Sequence, residues 1–403
     1  MSHYRTLDDL PDIAEKRVLV RVDHNVTYDE HGVLKDDQKL RVTIPTIEFL
    51  LKKKAKVILM THVGRPKGKV DETLRTGPIA MHLKTLSKNI KTVKNVRETI
   101  GPTVESAVET LKPGEILYLE NVRFDPGEEK NDPAFIEAIA SLADFYVNEA
   151  FPSLHIYEEA STCGVANALP AFAGFHLLKE VEHLRKVTED PRRPLVLIMS
   201  GAKMETKIPV IERFLDIADD ILLGGCIANT FIAARGFNVG KSKYEDAYRE
   251  NAQKFMLEGE KEEKADIHVP RDVVVATRAD AQAVKIDLPV EDIEGDMAIF
   301  DIGKVTTQRY VNLIQKAGSI IWNGPLGLYE VEQFSHATQH IADAILAATK
   351  DRGIISIVGG GDTIDFHTLY DYSLDGYTFV SMGGGAMLEF LSGTLPALEI
   401  LKK

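Results

Sequence analysis

The sequence predicts an α/β fold: parallel sheets covered by helices on both faces and divided between two domains. Three observations point there. Short runs rich in Val, Ile and Leu recur at 17–22, 56–60, 116–119, 145–148, 195–199, 220–223, 298–302, 319–322, 354–358 and 378–381. Most are near-continuous rather than alternating, as in strands buried on both faces. The stretches between them carry helical spacing, and so many strands exceed what one sheet of ordinary size holds.

In chain order, Arg17–Val22 and Lys56–Met60 read as strands on either side of a helix at Ile44–Leu51, with apolar residues at 44, 47, 50 and 51. Ile116–Leu119 and Phe145–Asn148 flank a helix at Pro133–Leu142. The segment Phe175–Glu189 has apolar residues at 177, 178, 181 and 184 with charges between them, which suits a helix, and DPRRP at 190–194 makes a punctuated break before the next strand. The first domain is therefore placed at 1–174, a connecting helix at 175–190 and the second domain from 191 onward. In the second half the strand runs alternate with helical stretches at Lys207–Ile217 and Ala337–Ala348. No repeat or low-complexity tract is visible, and EGEKEEK at 258–264 reads as a solvated helix end.

Composition excludes several function classes. With 403 residues, 44% of them apolar, the chain has ample material for two cores and is not globally disordered. Lys and Arg total 48 against 61 Asp and Glu, a formal charge of −13, which argues against nucleic-acid or anionic-membrane partners. Cys163 and Cys226 are too few for a disulfide framework or a zinc cluster and read as small buried residues. The first twelve residues carry no apolar signal region, and no run approaches the ~20 residues of a membrane span. The expectation is a soluble, cytoplasmic protein.

Ligands of parallel α/β sheets bind where the strands end. In the second half the strand exits read SGAK (200–203), GG (224–225), DIG (301–303), NGP (323–325), GGGD (359–362) and GGG (383–385). Glycines there let backbone N–H groups approach an anion, and a following helix N-terminus adds partial positive charge. Six such loops at one sheet edge point to a nucleotide polyphosphate site. It is not a P-loop: GFNVGKS at 236–242 has three residues between its glycines instead of four and follows the helix-like Ile227–Arg235, so Lys241 reads as a loop lysine. No GxGxxG is present, which removes a dinucleotide reading. Lys203 and Lys207, four apart, are expected on one helix face toward the phosphates. Asp362 suits a Mg²⁺ ligand, with a plain helix N-cap as the alternative, and Glu330 suits an acceptor for a ribose hydroxyl.

The first half carries a different inventory. Its strands end in RVDHN (21–25), THVGRP (61–66) and LENVRF (119–124), and KDDQKLR follows at 35–41. Lys39, Arg41, His62, Arg65 and Arg123 form a predicted cationic cluster suited to a small substrate with phosphate and carboxylate groups. Asp23 and Asn25 are placed to meet its hydroxyls.

These motifs together resemble the phosphoglycerate kinase family along essentially the whole chain. The carriers are RVDHNV (21–26), THVGRP (61–66), LENVRF…PGEEKNDP (119–133), SGAKMETK (200–207), WNGPLGLYE (322–330), VGGGDT (358–363) and GGGAMLEF (383–390). The resemblance implies two doubly wound, Rossmann-like domains joined by a hinge helix and facing a cleft, the nucleotide domain ending near 390 and the tail 391–403 returning to the first domain. It implies a monomer and reversible phosphoryl transfer between 1,3-bisphosphoglycerate and Mg-ADP, giving 3-phosphoglycerate and ATP, a step of glycolysis and gluconeogenesis. It places Asp23, Asn25, Lys39, His62, Arg65 and Arg123 on the glycerate. It places Gly201, Ala202, Lys203, Lys207, Gly224, Gly225, Gly303, Asn323, Pro325, Glu330, Gly359, Gly360, Gly361, Asp362 and Thr363 on the nucleotide. Lys207 and Lys203, with Gly361 and Gly384, attend the transferring group, and Asp362 attends Mg²⁺.

The chain departs from the family pattern in its glycerate half. Lys39 stands where the family usually has arginine and loses the planar fork. Where the family reads N-D-A-F-G-T-A-H-R-A-H-A-S, this chain reads NEAFPSLHIYEEAS (148–161), with Ile156 for the substrate arginine and Glu158 and Glu159 for the second histidine. Loss of a desolvated phosphate-binding arginine weakens binding by ~2–5 kcal/mol, and nearby carboxylates repel an anionic ligand. His24 for the usual Phe, and Lys304 and Val305 in the DIGKVT stretch, are milder changes. Three readings remain: a working kinase of this family using Lys39, His62, Arg65, Arg123 and His155; a kinase of the same fold with another acceptor; or a non-catalytic nucleotide-binding relative.

Overall fold

The structure is a computed structural model that describes residues 3–26, 28, 34, 37–393 and 395–403. Met1, Ser2, Lys35, Asp36 and Thr394, which fall in the domain ranges and in the KDDQKLR stretch above, lie outside the described residues. The chain divides into two compact units, Met1–Val181 with Leu395–Lys403, and Glu182–Thr394. The division falls inside the helix Phe175–Glu189.

The first unit is built on six strands: β1 Arg17–Arg21, β2 Lys56–Met60, β3 Val93–Asn95, β4 Ile116–Tyr118, β5 Phe145–Asn148 and β6 Ala171–Ala173. All pair in parallel in the order β3-β4-β2-β1-β5-β6. Val18, Val20, Val57 and Leu59 from its centre pack against Ile47, Ile79 and Leu83 of covering helices. The C-terminal segment belongs to this unit, where the Arg5 N–H donates to the Leu401 carbonyl at 2.7 Å.

The second unit holds β7 Leu195–Met199, β8 Asp220–Leu223, β9 Asp266–His268, β10 Asp272–Ala276, β11 Ile286–Pro289, β12 Ala298–Ile302, β13 Ser319–Asn323, β14 Ile355–Gly359 and β15 Phe379–Ser381. Six form a parallel sheet in the order β15-β14-β13-β7-β8-β9. Every residue of β7, β13 and β14 is buried, the physical counterpart of their unbroken apolar runs. Trp322, Ile198 and Ile320 pack with Tyr310, Ile341 and Phe366.

The remaining three strands, in the order β11-β10-β12, make a separate antiparallel sheet. This corrects the expectation that 298–302 is a strand of a parallel sheet with its DIG exit at the common edge. β11 is largely exposed and β12 only partly buried. Only the central β10 is mostly buried and carries a continuous apolar run; β11 lacks the signal of a strand covered on both faces. The strands β3 (VKN), β6 (AFA) and β9 (DIH) escape sequence reading because each holds a single large apolar side chain, unlike the equally short β4 (ILY).

Candidate active site

Strand register sets one edge of the second unit's parallel sheet. Asn323 is level with Gly359 on one side and Met199 on the other, Met199 with Leu223, and Gly359 with Ser381. Five of the six glycine loops therefore leave from one line. Three lead directly into helices, Gly225–Ala234, Gly361–Leu369 and Gly384–Ser392, and none of these has a side-chain cap on its first turn. At the helix Gly225–Ala234 the Gly225 and Ile227 N–H groups donate to the Leu326 and Gly201 carbonyls, whereas the first N–H groups of the helices at Gly361 and Gly384 are left for a ligand.

Two glycines are required by conformation as well as space. Gly324 has φ +95, and a Cβ there would sit 2.5 Å from the Ser200 carbonyl oxygen. Gly360 has φ +104, and its Cβ would meet Asn323 Nδ2 at 2.9 Å. L side chains are strained in both backbone conformations.

Between these loops lies a cavity of about 360 Å³, lined by Gly201, Ala202, Lys203, Lys207, Asn323, Gly360, Gly361, Asp362, Thr363 and Gly384, with Thr206, Gly324 and Gly385 added. A second cavity of about 530 Å³ is lined by Gly225, Cys226, Pro325, Leu326 and Glu330 together with Gly201, Ala202 and Asp362. The last three residues border both, so a phosphate-sized space opens beside an organic, largely apolar one. Gly224, Gly303 and Gly359 line neither. A Cβ at Gly224 would strike Leu326, at Gly303 Asp272, and at Gly359 Met387, so these three are glycines of packing.

Lys203 and Lys207 do not share a helix face, contrary to the expectation from their spacing. Residues 201–206 form turns, and the helix begins at Ile208 with Lys207 as its N-cap residue. Lys203 is exposed, whereas Lys207 is buried and its amine donates to Asn323 Oδ1. Burial pulls the Lys207 ammonium down to about 8, against the counteracting charge of Asp362. The Asn323 amide in turn donates to the Gly359 carbonyl at 3.0 Å. Asp362 is not an N-cap, because Gly360 holds that position; the carboxylate stands exposed in the first helical turn. Thr363 is buried beneath it and accepts from the Gly324 N–H at 2.9 Å, tying two loops together. Lys241 pairs with Asp296 at 2.7 Å on the surface, where it also reaches the rim of the larger cavity.

In the first unit the exits of β1, β2, β4 and β5 likewise fall at one edge, Arg21 being level with Met60 and Asn148, and Leu59 with Tyr118. A chain of contacts links the residues there. Lys39 Nζ lies 3.2 Å from Asp23 Oδ2 and from the Asn25 carbonyl. The Asn25 side chain accepts from the Gly64 N–H at 3.0 Å, and the Gly64 carbonyl accepts from Arg123 Nη1 at 2.9 Å. Burial would raise the Asp23 carboxyl, but the Lys39 charge leads the interactions that outweigh it and bring it down to about 2. His62 is buried with Nδ1 2.9 Å from Arg21 Nη2. A guanidinium only donates, so Nδ1 is the acceptor, and burial keeps the ring neutral with its proton on Nε2. Arg65 is exposed. Arg41 lies outside this group, engaged with Asp37 at 2.6 and 2.7 Å on the surface.

Arg123 carries the unexpected contact. Its Nε and Nη2 donate to Glu159 Oε1 at 3.0 and 2.5 Å, within a buried pair. Glu158 and His155 are exposed and Ile156 half-buried, so only one of the two carboxylates that replace the second histidine faces the cations. Sequence reasoning also missed Arg21, which is fully buried and donates to Ser161 Oγ at 2.8 Å; that hydroxyl donates to Glu128 Oε1 at 2.5 Å. The signal was present: a charged residue closing an otherwise apolar strand needs a buried partner.

Against known proteins, residues 7–394 match the phosphoglycerate kinase family model. The chain belongs to the phosphoglycerate kinase family. It is 44% identical over 398 residues to the phosphoglycerate kinase of Moorella thermoacetica, covering 98% of each chain. It is 40% identical to that of Chelativorans sp. over 404 residues, covering 100% of each. Its fold superposes on the phosphoglycerate kinase of Coxiella burnetii with TM-score 0.86 at 35% identity, covering 99% of both. For the enzyme of Pyrococcus horikoshii the TM-score is 0.82 at 29% identity, covering 98% of both.

The donors fit the metal that a phosphoglycerate kinase implies. Mg²⁺ takes one or two carboxylates and completes its shell with water and substrate phosphates. Asp362, exposed where the two cavities meet, offers that one hard oxygen donor beside the amides of Gly360 and Gly361.

Proposed function

We propose that this chain catalyses reversible phosphoryl transfer between 1,3-bisphosphoglycerate and Mg-ADP, giving 3-phosphoglycerate and ATP. The observation that carries the proposal is the pair of adjoining cavities in the second unit, sharing Gly201, Ala202 and Asp362, with uncapped helix starts at one and an organic pocket at the other. In this reading the nucleoside sits by Gly225 and Pro325 with its ribose toward Glu330, and the phosphates lie along Gly201, Ala202, Gly360, Gly361 and Thr363. Asp362 holds Mg²⁺, which when bound neutralises the phosphate oxygens. The remaining catalysis is positioning and charge. Lys207 and Lys203 meet the transferring group with positive charge, and the amides of Gly361 and Gly384 donate to its equatorial oxygens. Asn323 aims Lys207 by fixing its amine.

The glycerate is assigned to the first unit, its hydroxyl to Asp23 and Asn25 and its anionic groups to Lys39, His62, Arg65 and Arg123. The neutral His62 serves as an Nε2–H donor. With the acid on one unit and the nucleotide on the other, hinge bending during turnover belongs to the same proposal, since it brings the ligands in line and excludes water from the acyl phosphate. So do a cytoplasmic location and a monomeric state, the latter checked by sedimentation equilibrium. No described helix is long and apolar enough to cross a membrane.

A coupled assay with Mg-ADP and 1,3-bisphosphoglycerate tests the function. Wild-type turnover well above that of Lys207→Ala is the expected result. Turnover no faster than that variant overturns the proposal.

A further inference from the structure

We propose that Glu159 is an internal anion on Arg123, which the phosphoglycerate must displace, so that Glu159 sets the affinity for the acid; the inference rests on the kinase reading above. Four observations carry it. The contact is lopsided: both Nε and Nη2 of Arg123 share the single oxygen Oε1, while Oε2 is buried with no hydrogen-bond partner. A ligand phosphate or carboxylate would give that edge of the fork two oxygens, the stronger arrangement, and would free a carboxylate oxygen left without a donor.

Arg123 is held independently of Glu159. Nη1 donates to the Gly64 carbonyl, and the Arg123 N–H donates to Asn121 Oδ1 at 3.2 Å, so the guanidinium keeps its place when the carboxylate leaves. Glu159 stands where exposed chain meets a buried helical turn: His155, Tyr157 and Glu158 before it are exposed, while its own carbonyl accepts from the Thr162 and Cys163 N–H groups, so the side chain has solvent to swing toward from a backbone fixed at that turn. Finally, the group lies one contact from Gly64, which joins Arg123 to Asn25 and thence to Lys39 and Asp23. Glu159 therefore takes up the more buried of the two cations in that chain, Arg123, Lys39 being about a quarter exposed.

The alternative is an ordinary structural ion pair, which would make any substitution harmful. Steady-state kinetics of the full chain with 3-phosphoglycerate and Mg-ATP separate the two, comparing wild type, Glu159→Gln and the exposed control Glu158→Gln. Glu159→Gln is expected to lower KM for 3-phosphoglycerate about ten-fold, with KM for Mg-ATP unchanged and Glu158→Gln like wild type. An unchanged or raised KM for the acid in a variant that turns over overturns the inference and leaves the kinase reading standing.

Hydrogen exchange on wild type needs no variant to fold. Adding 3-phosphoglycerate should accelerate exchange of amides 154–160 as Glu159 is expelled, and slowed or unchanged exchange there contradicts it. Accelerated exchange without phosphoryl transfer would keep Glu159 as the displaced anion and remove the kinase reading. No effect of the acid in either experiment would remove both.

Discussion

Lys207 is buried to the point where its ammonium is pulled down to about 8; its amine donates to the Asn323 amide oxygen, and the charge of Asp362 offsets the burial only in part. A lysine left in that state is poised for an incoming anion, because ligand phosphates would restore the charge compensation that burial removed. Lys207→Met is therefore expected to reduce kcat by ~10²–10³-fold, the scale of losing one preorganised electrostatic donor. The Kd for Mg-ADP, measured by titration calorimetry, should move much less, because the glycine amides remain. Equal losses in both would mean that Lys207 only binds. Arg123→Ala belongs to the same scale and should raise KM for 3-phosphoglycerate without altering that for Mg-ATP. A change confined to Mg-ATP would contradict the assignment of Arg123 to the acid.

Among the elements, the glycine loops are where backbone geometry and function coincide. Gly324→Ala puts a methyl 2.5 Å from the Ser200 carbonyl at φ +95, and neither neighbour is a flexible side chain that can yield. The variant should lose roughly 1–3 kcal/mol of stability by urea denaturation and most of its affinity for Mg-ADP, since loop and cavity share that backbone. Full stability with intact nucleotide binding would show that the loop tolerates movement. These loops were legible because each follows a buried, unbroken strand such as Leu195–Met199, whose bounds the structure reproduces. The antiparallel β11-β10-β12 sheet was not: 298–302 reads as a strand but not as an antiparallel one, the buried run Asp272–Ala276 escapes the reading, and the exposed β11 has no apolar pattern. Helical spacing also misled at Lys203 and Lys207, where the chain turns before the helix starts. The contact of Arg123 with Glu159, 36 positions apart, is a tertiary event that no local pattern encodes.

For the whole molecule, the buried carboxyls set a pH dependence of stability. Burial pushes Glu128 up to about 7 and both Glu149 and Asp301 up to about 8. In the unfolded chain such groups titrate near 4, so between these values the folded state binds more protons. Their contribution is complete below the unfolded values and is lost as pH rises through 7 and 8. Asp23, brought down to about 2, acts oppositely: it stabilises above about 4, and that contribution is lost as pH falls through 2. The melting temperature should therefore fall between pH 6 and pH 9. Glu149→Gln, which removes one titration at the start of the helix Phe175–Glu189, should flatten that fall. A melting temperature that rises over this interval in wild type would show that these carboxyls fold ionised.

A phosphorus NMR spectrum of the purified chain with Mg-ATP and 3-phosphoglycerate puts the central assignment to its most direct test. ADP and acyl-phosphate resonances should grow together in equal amounts and disappear when Lys207 is replaced. ADP accompanied by free phosphate alone, or an unchanged spectrum, would contradict it.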